Sequence, residues 1–334
     1  MKRGVYITVD VECSMGGAFE DPARRPVPPA RAMMGDYGGR PMGVPLIADI
    51  LRASGLAATF FFEPFAEEQG YPGEAGPIAR MLVDRGQDVQ LHIHPCYNFY
   101  ALHRRGLPYP RTDSFADLSA ADAERLIREG ARRLAAWTGR PPVAFRAGNM
   151  GASEATLASV AAAGIRIDSS YTFAFAGGQC RFSPADPYNG SKLHGEVLEV
   201  ALSGFRRPRM PGVHRAKPLD LAGISFEECR QAIRRIRSAG ADAVLILHSF
   251  SLLKVRNLAY DGGRPNRIVA RRLRRLCEWL ARNADEYPVR TFSQLAEAVA
   301  ARTYEPHAAP PPTVFGPRAI ARKAVQLYNR LYWT

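Results

Sequence analysis

Cysteine is sparse in this 334-residue chain, and what there is lies apart: Cys13, Cys96, Cys180, Cys229 and Cys277 form no CxxC pair. An odd, scattered set excludes a disulfide framework and a cysteine-only zinc site. Lysine is scarcer still against the charge. The basic excess, 45 − 32 = +13, includes only Lys2, Lys192, Lys217, Lys254 and Lys323, so it is almost entirely arginine. No Lys/Arg block of nucleic-acid type occurs, and the densest runs, 230–237 and 267–275, carry apolar residues at helical spacing, as solvated helix faces do. Nucleic acid is therefore not an expected partner. Long apolar runs are missing too: AVLIL at 243–247, continued past His248 to Leu253, falls far short of the roughly 20 residues that span a bilayer. GVYITV after Arg3 is too short for a signal-peptide core and ends in Asp10 and Glu12, so a cytoplasmic protein is expected.

What is present is the composition of a globular protein, 46% hydrophobic and 23% charged. Short β-rich runs alternate with helical patterns from end to end. Strands are expected at 4–10, 57–62, 88–94, 143–148, 165–169, 243–248 and 289–292. Helices are expected near 45–54, 75–86, 119–137, 153–163, 225–239, 266–283 and 293–301. A Gly/Pro/Met-rich stretch from Cys13 to Pro45 reads as loop, and a second irregular stretch runs to about 224. The alternation predicts an α/β fold with a parallel sheet, open or closed into a barrel of about seven strand–helix units.

In such folds polar residues gather at the C-terminal ends of the strands. There stand Asp10 and Glu12, His92 and His94, Arg146 and Asn149, Asp168, and His248. Residues two apart on an extended segment share a side. His92 with His94, and Asp10 with Glu12, therefore make same-side pairs, and two imidazoles with a carboxylate form a zinc-type set with an open position for water. The remaining carboxylate can act as a base toward that water, His248 as an acid, and Arg146 can hold the base ionised.

At these residues the sequence resembles the polysaccharide deacetylases, the NodB-homology or fourth carbohydrate esterase family. TVDVE (8–12), ATFFF (58–62), QLHIHP (90–95), FRAG (145–148), GIRIDSS (164–170) and LILH (245–248) look like its successive motifs, in order over roughly 4–300. The resemblance implies a distorted (β/α) barrel and a hydrolase of carbon–nitrogen bonds that removes an acetyl group, N-acetyl preferred, from a sugar or polysaccharide precursor. It implies Asp10 as catalytic base, Arg146 as the arginine that orients it, and His248 as general acid. A divalent metal, zinc expected, is implied on Glu12, His92 and a second histidine. The family pattern has adjacent aspartates and H-x-x-x-H; here the spacings are D-x-E and H-x-H, with Cys96 at the fourth position, so the third ligand lies among His94, preferred, Cys96 and His103. Asp168 matches the DSS element, a support near the site; Asp168, Asn149 and Tyr37 are candidate substrate contacts. Two rivals stand beside this reading: a barrel hydrolase of a non-sugar amide or ester, and a catalytically silent carbohydrate-binding barrel.

The expected organisation is a catalytic barrel over 1–303 with 13–45 as an active-site insertion, a Pro-rich linker over 304–317, and a basic amphipathic helix over 318–334. That helix is a candidate for docking on protein or for peripheral contact with the inner membrane face. Arg24, Arg25, Arg31, Arg40, Arg206, Arg207 and Arg209 would suit a phosphate- or lipid-linked glycan.

Overall fold

The computed structural model describes residues 1–208 and 216–314; the helix expected at 318–334, and Arg209, lie outside the described residues. The strands in chain order are β1 (Val5–Val11), β2 (Thr59–Phe62), β3 (Asp88–Ile93), β4 (Ala144–Ala147), β5 (Ile167–Asp168), β6 (Asn189–His194), β7 (Val197–Val200), β8 (Gly204–Arg206), β9 (Ala216–Pro218), β10 (Ala243–His248), β11 (Leu253–Val255), β12 (Gly263–Pro265) and β13 (Ala308–Ala309). The helices are α1 (Pro29–Ala32), α2 (Val44–Ala53), α3 (Ala75–Asp84), α4 (Pro95–Arg104), α5 (Ala120–Thr138), α6 (Glu154–Ala162), α7 (Phe226–Ser238), α8 (Arg267–Arg282) and α9 (Phe292–Ala300).

One sheet dominates, in the order β10-β1-β2-β3-β4-β5-β7-β6-β13. From β10 to β7 every pairing is parallel; β6 and β13 are added antiparallel. Parallel strands covered on both faces must be apolar throughout, and VYITVDV of β1 is buried at all positions. The sheet curls into a half-barrel. The free edge of β10 is met by backbone from 203 and 219–221: Ser203 N–H donates to Val244 O (3.1 Å), and Ile246 N–H donates to Leu219 O (3.1 Å).

Helix starts carry side-chain caps. Ser119 caps α5 by accepting from Asp122 N–H at 3.1 Å, and Ser225 with Glu228 closes a capping box on α7. The expected strand at 289–292 is instead one bridge, Val5 to Val289, because Thr291 and Gln294 form a capping box that starts α9 at Phe292. Helix α4 has no counterpart in the expected elements; it begins at Pro95, a residue suited to the first helical turn, directly after His94. The stretch expected to be irregular up to about 224 holds the β6–β7 hairpin and the β8–β9 pair.

Residues 304–314 do not run free of the barrel. Strand β13 pairs with β6, the Tyr304 hydroxyl donates to Asp242 Oδ2 at 2.7 Å, and Val314 is buried. Residues 13–45 likewise pack in place: Tyr100 and Tyr71 donate to Arg24 O (3.1 Å) and Pro26 O (2.8 Å), and Tyr97 donates to Cys13 O.

Candidate active site

Parallel register gathers the site at the C-terminal edge of the sheet. Asp10 is the direct neighbour of His248 across β1 and β10, and His92 the neighbour of Arg146 across β3 and β4. Ser249 locks the first junction, its N–H donating to Asp10 O (2.8 Å) and its hydroxyl to Glu12 O (3.0 Å). Residues from both ends of the chain thus meet within one strand spacing.

Glu12 Oε2 lies 3.0 Å from His92 Nε2 and 2.5 Å from His94 Nε2. Both opposite ring nitrogens are taken. His92 Nδ1 lies 2.9 Å from Arg146 O, which can only accept, so this nitrogen carries the hydrogen; His94 Nδ1 lies 2.9 Å from Asp113 Oδ2 and donates likewise. Each Nε2 is thereby aimed at Glu12. An imidazole fixed through Nδ1 by a carbonyl or carboxylate is the usual support for a metal-ligating Nε2, so the donor set Glu12, His92 and His94 fits a divalent cation. Burial works against the Glu12 charge, yet His94 and His92 outweigh it and hold the carboxyl well below its usual range. Burial would lower His94, but Asp113 and Glu12 carry it well above the ordinary imidazole value.

His94 itself lies just past β3 and is placed by groups the sequence did not single out. Its backbone N–H donates to Glu63 Oε2 at 2.6 Å. Glu63 is fully buried at the end of β2, and burial pushes it up to about 8. Asp113 also accepts from Asn149 Nδ2 (2.5 Å) and from Cys96 N–H (3.2 Å). A Cβ on Gly148 would stand 2.4 Å from the His94 ring, so only glycine leaves the imidazole its place. Of the alternatives for the third ligand, Cys96 is buried beside His94 and Asp113 and is not part of the Glu12 group, and His103 is exposed near the far end of α4.

Asp10, 2% exposed, receives Arg146 Nη1 at 2.6 Å. Arg146 is fully buried and stacked on Phe61, 4.1 Å from the ring centre; its other donors reach Thr8 Oγ1 (2.9 Å), Ser169 O (3.1 Å) and Ser169 Oγ (3.0 Å). A cavity of about 200 Å³ opens onto Asp10, Glu12, His94, Asn149 and His248, with Asp220 beside His248. Asn149 adopts a left-handed conformation (φ 52°) in its wall. Asp220, missed from the sequence, is half-buried beside β10, where desolvation raises its value and His248 opposes the rise.

Two candidate substrate contacts lie elsewhere. Tyr37 donates to Tyr260 O at 2.8 Å and packs on Gly263 of β12, outside the cavity wall. Asp168 is fully buried against Glu199 on the neighbouring strand. The arginines do not line the cavity either: Arg31 stacks on Tyr37, Arg24 pairs with Asp21 at 3.4 Å, Arg207 pairs with Glu228 at 3.1 Å, and Arg25, Arg40 and Arg206 are exposed.

No family model matches the sequence, and no curated protein sequence matches it. Among solved structures, one from Mycobacterium smegmatis, itself only provisionally assigned as a polysaccharide deacetylase, aligns over 95% of this chain and 96% of its own, with a TM-score of 0.55 and 18% identity. The fold is that of the polysaccharide deacetylases. The deacetylase-like barrel also aligns with a family 4 carbohydrate esterase from Streptomyces lividans solved with acetate (TM-score 0.43, 14% identity, 84% of this chain and 89% of that one). A family 4 pseudoenzyme from Bacillus anthracis aligns at TM-score 0.44 and 13% identity, over 88% of this chain and 65% of that one. None of the described helices is long and apolar enough to cross a membrane.

Proposed function

We propose that the chain is a metal-dependent hydrolase that removes an acetyl group, N-acetyl preferred, from a sugar or glycan. The observation that carries the reading is the convergence on one cavity of an Nε2-aimed Glu12–His92–His94 set, an Asp10 carboxylate held by a buried arginine, and His248. Glu12, His92 and His94 would hold a divalent cation, zinc by donor type, which would supply Lewis-acid polarisation of the acetyl carbonyl and a lowered pKa for a bound water. Asp10 takes the proton from the attacking water. Arg146 donates to its carboxylate at 2.6 Å through a charge-assisted hydrogen bond and keeps it aimed. His248, on the neighbouring strand, gives a proton to the departing amine or alcohol. Asn149 contacts the sugar from the cavity wall. A second cavity of about 320 Å³ shares Asn149 and Gln179 with the first and is lined by Thr112, Ser114, Asp117 and Arg181, polar groups that suit a hydroxyl-rich substrate.

The test is acetate release from a panel of acetylated sugars and glycans, free and carrier-linked, with and without chelator. Chelation is expected to stop release and added zinc to restore it. Asp10→Asn is expected to cut turnover by about 10³-fold, within the range of general-base catalysis, while metal content stays stoichiometric. Full activity in that variant would refute the base assignment.

A further inference from the structure

Behind Arg146, on the other side of the sheet from the cavity, the structure holds a carboxyl pair that the mechanism above does not use. Asp168 of β5 and Glu199 of β7 are direct cross-strand partners, and both are fully buried. Each has one oxygen engaged: Asp168 Oδ2 accepts from Ser170 Oγ at 2.5 Å, and Glu199 Oε1 accepts from Tyr171 N–H at 2.9 Å. The other two oxygens, Asp168 Oδ1 and Glu199 Oε2, have no hydrogen-bond donor among the described residues. Two adjacent buried acceptors facing one another without a donor are strongly unfavourable as a pair of carboxylates, and one proton between them removes both the missing donor and the repulsion.

We propose that Asp168 and Glu199 share a single proton, and that the pair so locked is a positioning device holding Ser169 against Arg146. Alternation along the extended segment turns Asp168 and Ser170 to one side and Ser169 to the other. Clamping 168, 170 and 171 on the outer side therefore fixes the Ser169 carbonyl and hydroxyl, which receive Arg146 Nε and Nη2 while Nη1 reaches Asp10. Among the described residues no other charge replaces the proton. Arg146 spends its donors on Asp10, Thr8 and Ser169; Lys192, opposite Glu199 on β6, places its ammonium over the Tyr188 ring at 4.3 Å. The remaining titratable neighbours are neutral: burial pushes Tyr171 up to about 12, Cys180 to about 11, and Tyr188 higher still. Burial likewise pushes Asp168 up to about 7, and burial with the Asp168 charge carries Glu199 well above the carboxylate range.

A carboxyl whose folded value is raised gives stability that is full below its unfolded value, near 4, and is lost as pH rises toward the folded value. Through this pair the unfolding constant should rise about tenfold per pH unit between about pH 5 and 7. Glu199→Gln and Asp168→Asn each supply the missing donor as an amide. Thermal or denaturant unfolding across that window should then show a slope smaller by one proton in either variant than in the native chain. Infrared spectra of the native protein near pH 6 should carry a buried carboxylic-acid carbonyl band that Glu199→Gln removes. Equal pH slopes, or no such band, overturn the shared proton.

The positioning role rests on the proposed base assignment of Asp10 and has its own readout. The alkaline limb of kcat/KM for acetate release should move to higher pH in Glu199→Gln; an unmoved limb overturns that role. Absence of acetate release from every variant at every pH would instead fail the deacetylase reading, and the unfolding and infrared results would stand apart from it.

Discussion

Two buried carboxylate regions of the same sheet behave in opposite ways. At the cavity edge, Asp10 meets Arg146 at 2.6 Å, and Glu12 meets two imidazoles. On the outer face of β5 and β7, Asp168 and Glu199 meet each other. Desolvation opposes the charge in both, so the partner decides which form of the acid is favoured. Glu12 is held well below the usual carboxylate range, and Asp168 is pushed up to about 7. The sign of the pH response follows. A depressed carboxyl gives stability that is lost as pH falls through its folded value, and a raised one gives stability that is lost as pH climbs. In the proposed function the first kind of region presents charge to a ligand; in the proposed positioning role the second holds backbone.

The largest expected effect comes from making the first region resemble the second. Arg146→Met removes the cation from Asp10 and leaves a buried, unmatched carboxylate, which should cost about 3–5 kcal/mol of stability, as breaking a buried ion pair does. Denaturant unfolding measures it, and acetate release should vanish with it. A loss under 1 kcal/mol would mean that Asp10 tolerates burial without a cation, and the contrast between the regions would fall. Asp113→Asn is the next step down. It keeps the hydrogen-bond geometry at His94 Nδ1 but removes the charge, and should weaken zinc binding about 10–100-fold by competition titration. Unchanged affinity would show that Asp113 does not support His94 as a ligand. His103→Ala should do least: the residue is exposed on α4, outside both regions, so stability should stay within about 0.5 kcal/mol and metal content should be unchanged. Loss of metal in that variant would return His103 to the ligand set.

Much of this was legible in the chain. The expected helices and most of the expected strands agree with the observed bounds to within about two residues, since buried parallel strands and amphipathic helices write their periods into the sequence. Asp10, Glu12, His92, His94, Arg146 and His248 could be chosen because each closes a strand. Glu63, Asp113, Asp220 and Glu199 could not. Asp113 lies in a loop 19 residues beyond His94 and reaches it only because α4 folds back; no local pattern marks it. Glu199 reads as one polar residue in an apolar strand until β7 is placed beside β5. The Pro-rich stretch misleads for a related reason: proline predicts stiffness, and a stiff segment can lie along a sheet edge as readily as bridge a gap.

The sequence by itself determined the alternation of strands and helices, and therefore which residues stand at strand ends and which side each pair faces, because those depend on periods of two and 3.6. Strand order, the register that sets Asp10 beside His248 and Asp168 beside Glu199, and the buried acceptors that fix each histidine were decided by the tertiary structure. Those contacts join residues up to 238 positions apart, and their energies depend on burial and on partners that no local pattern specifies.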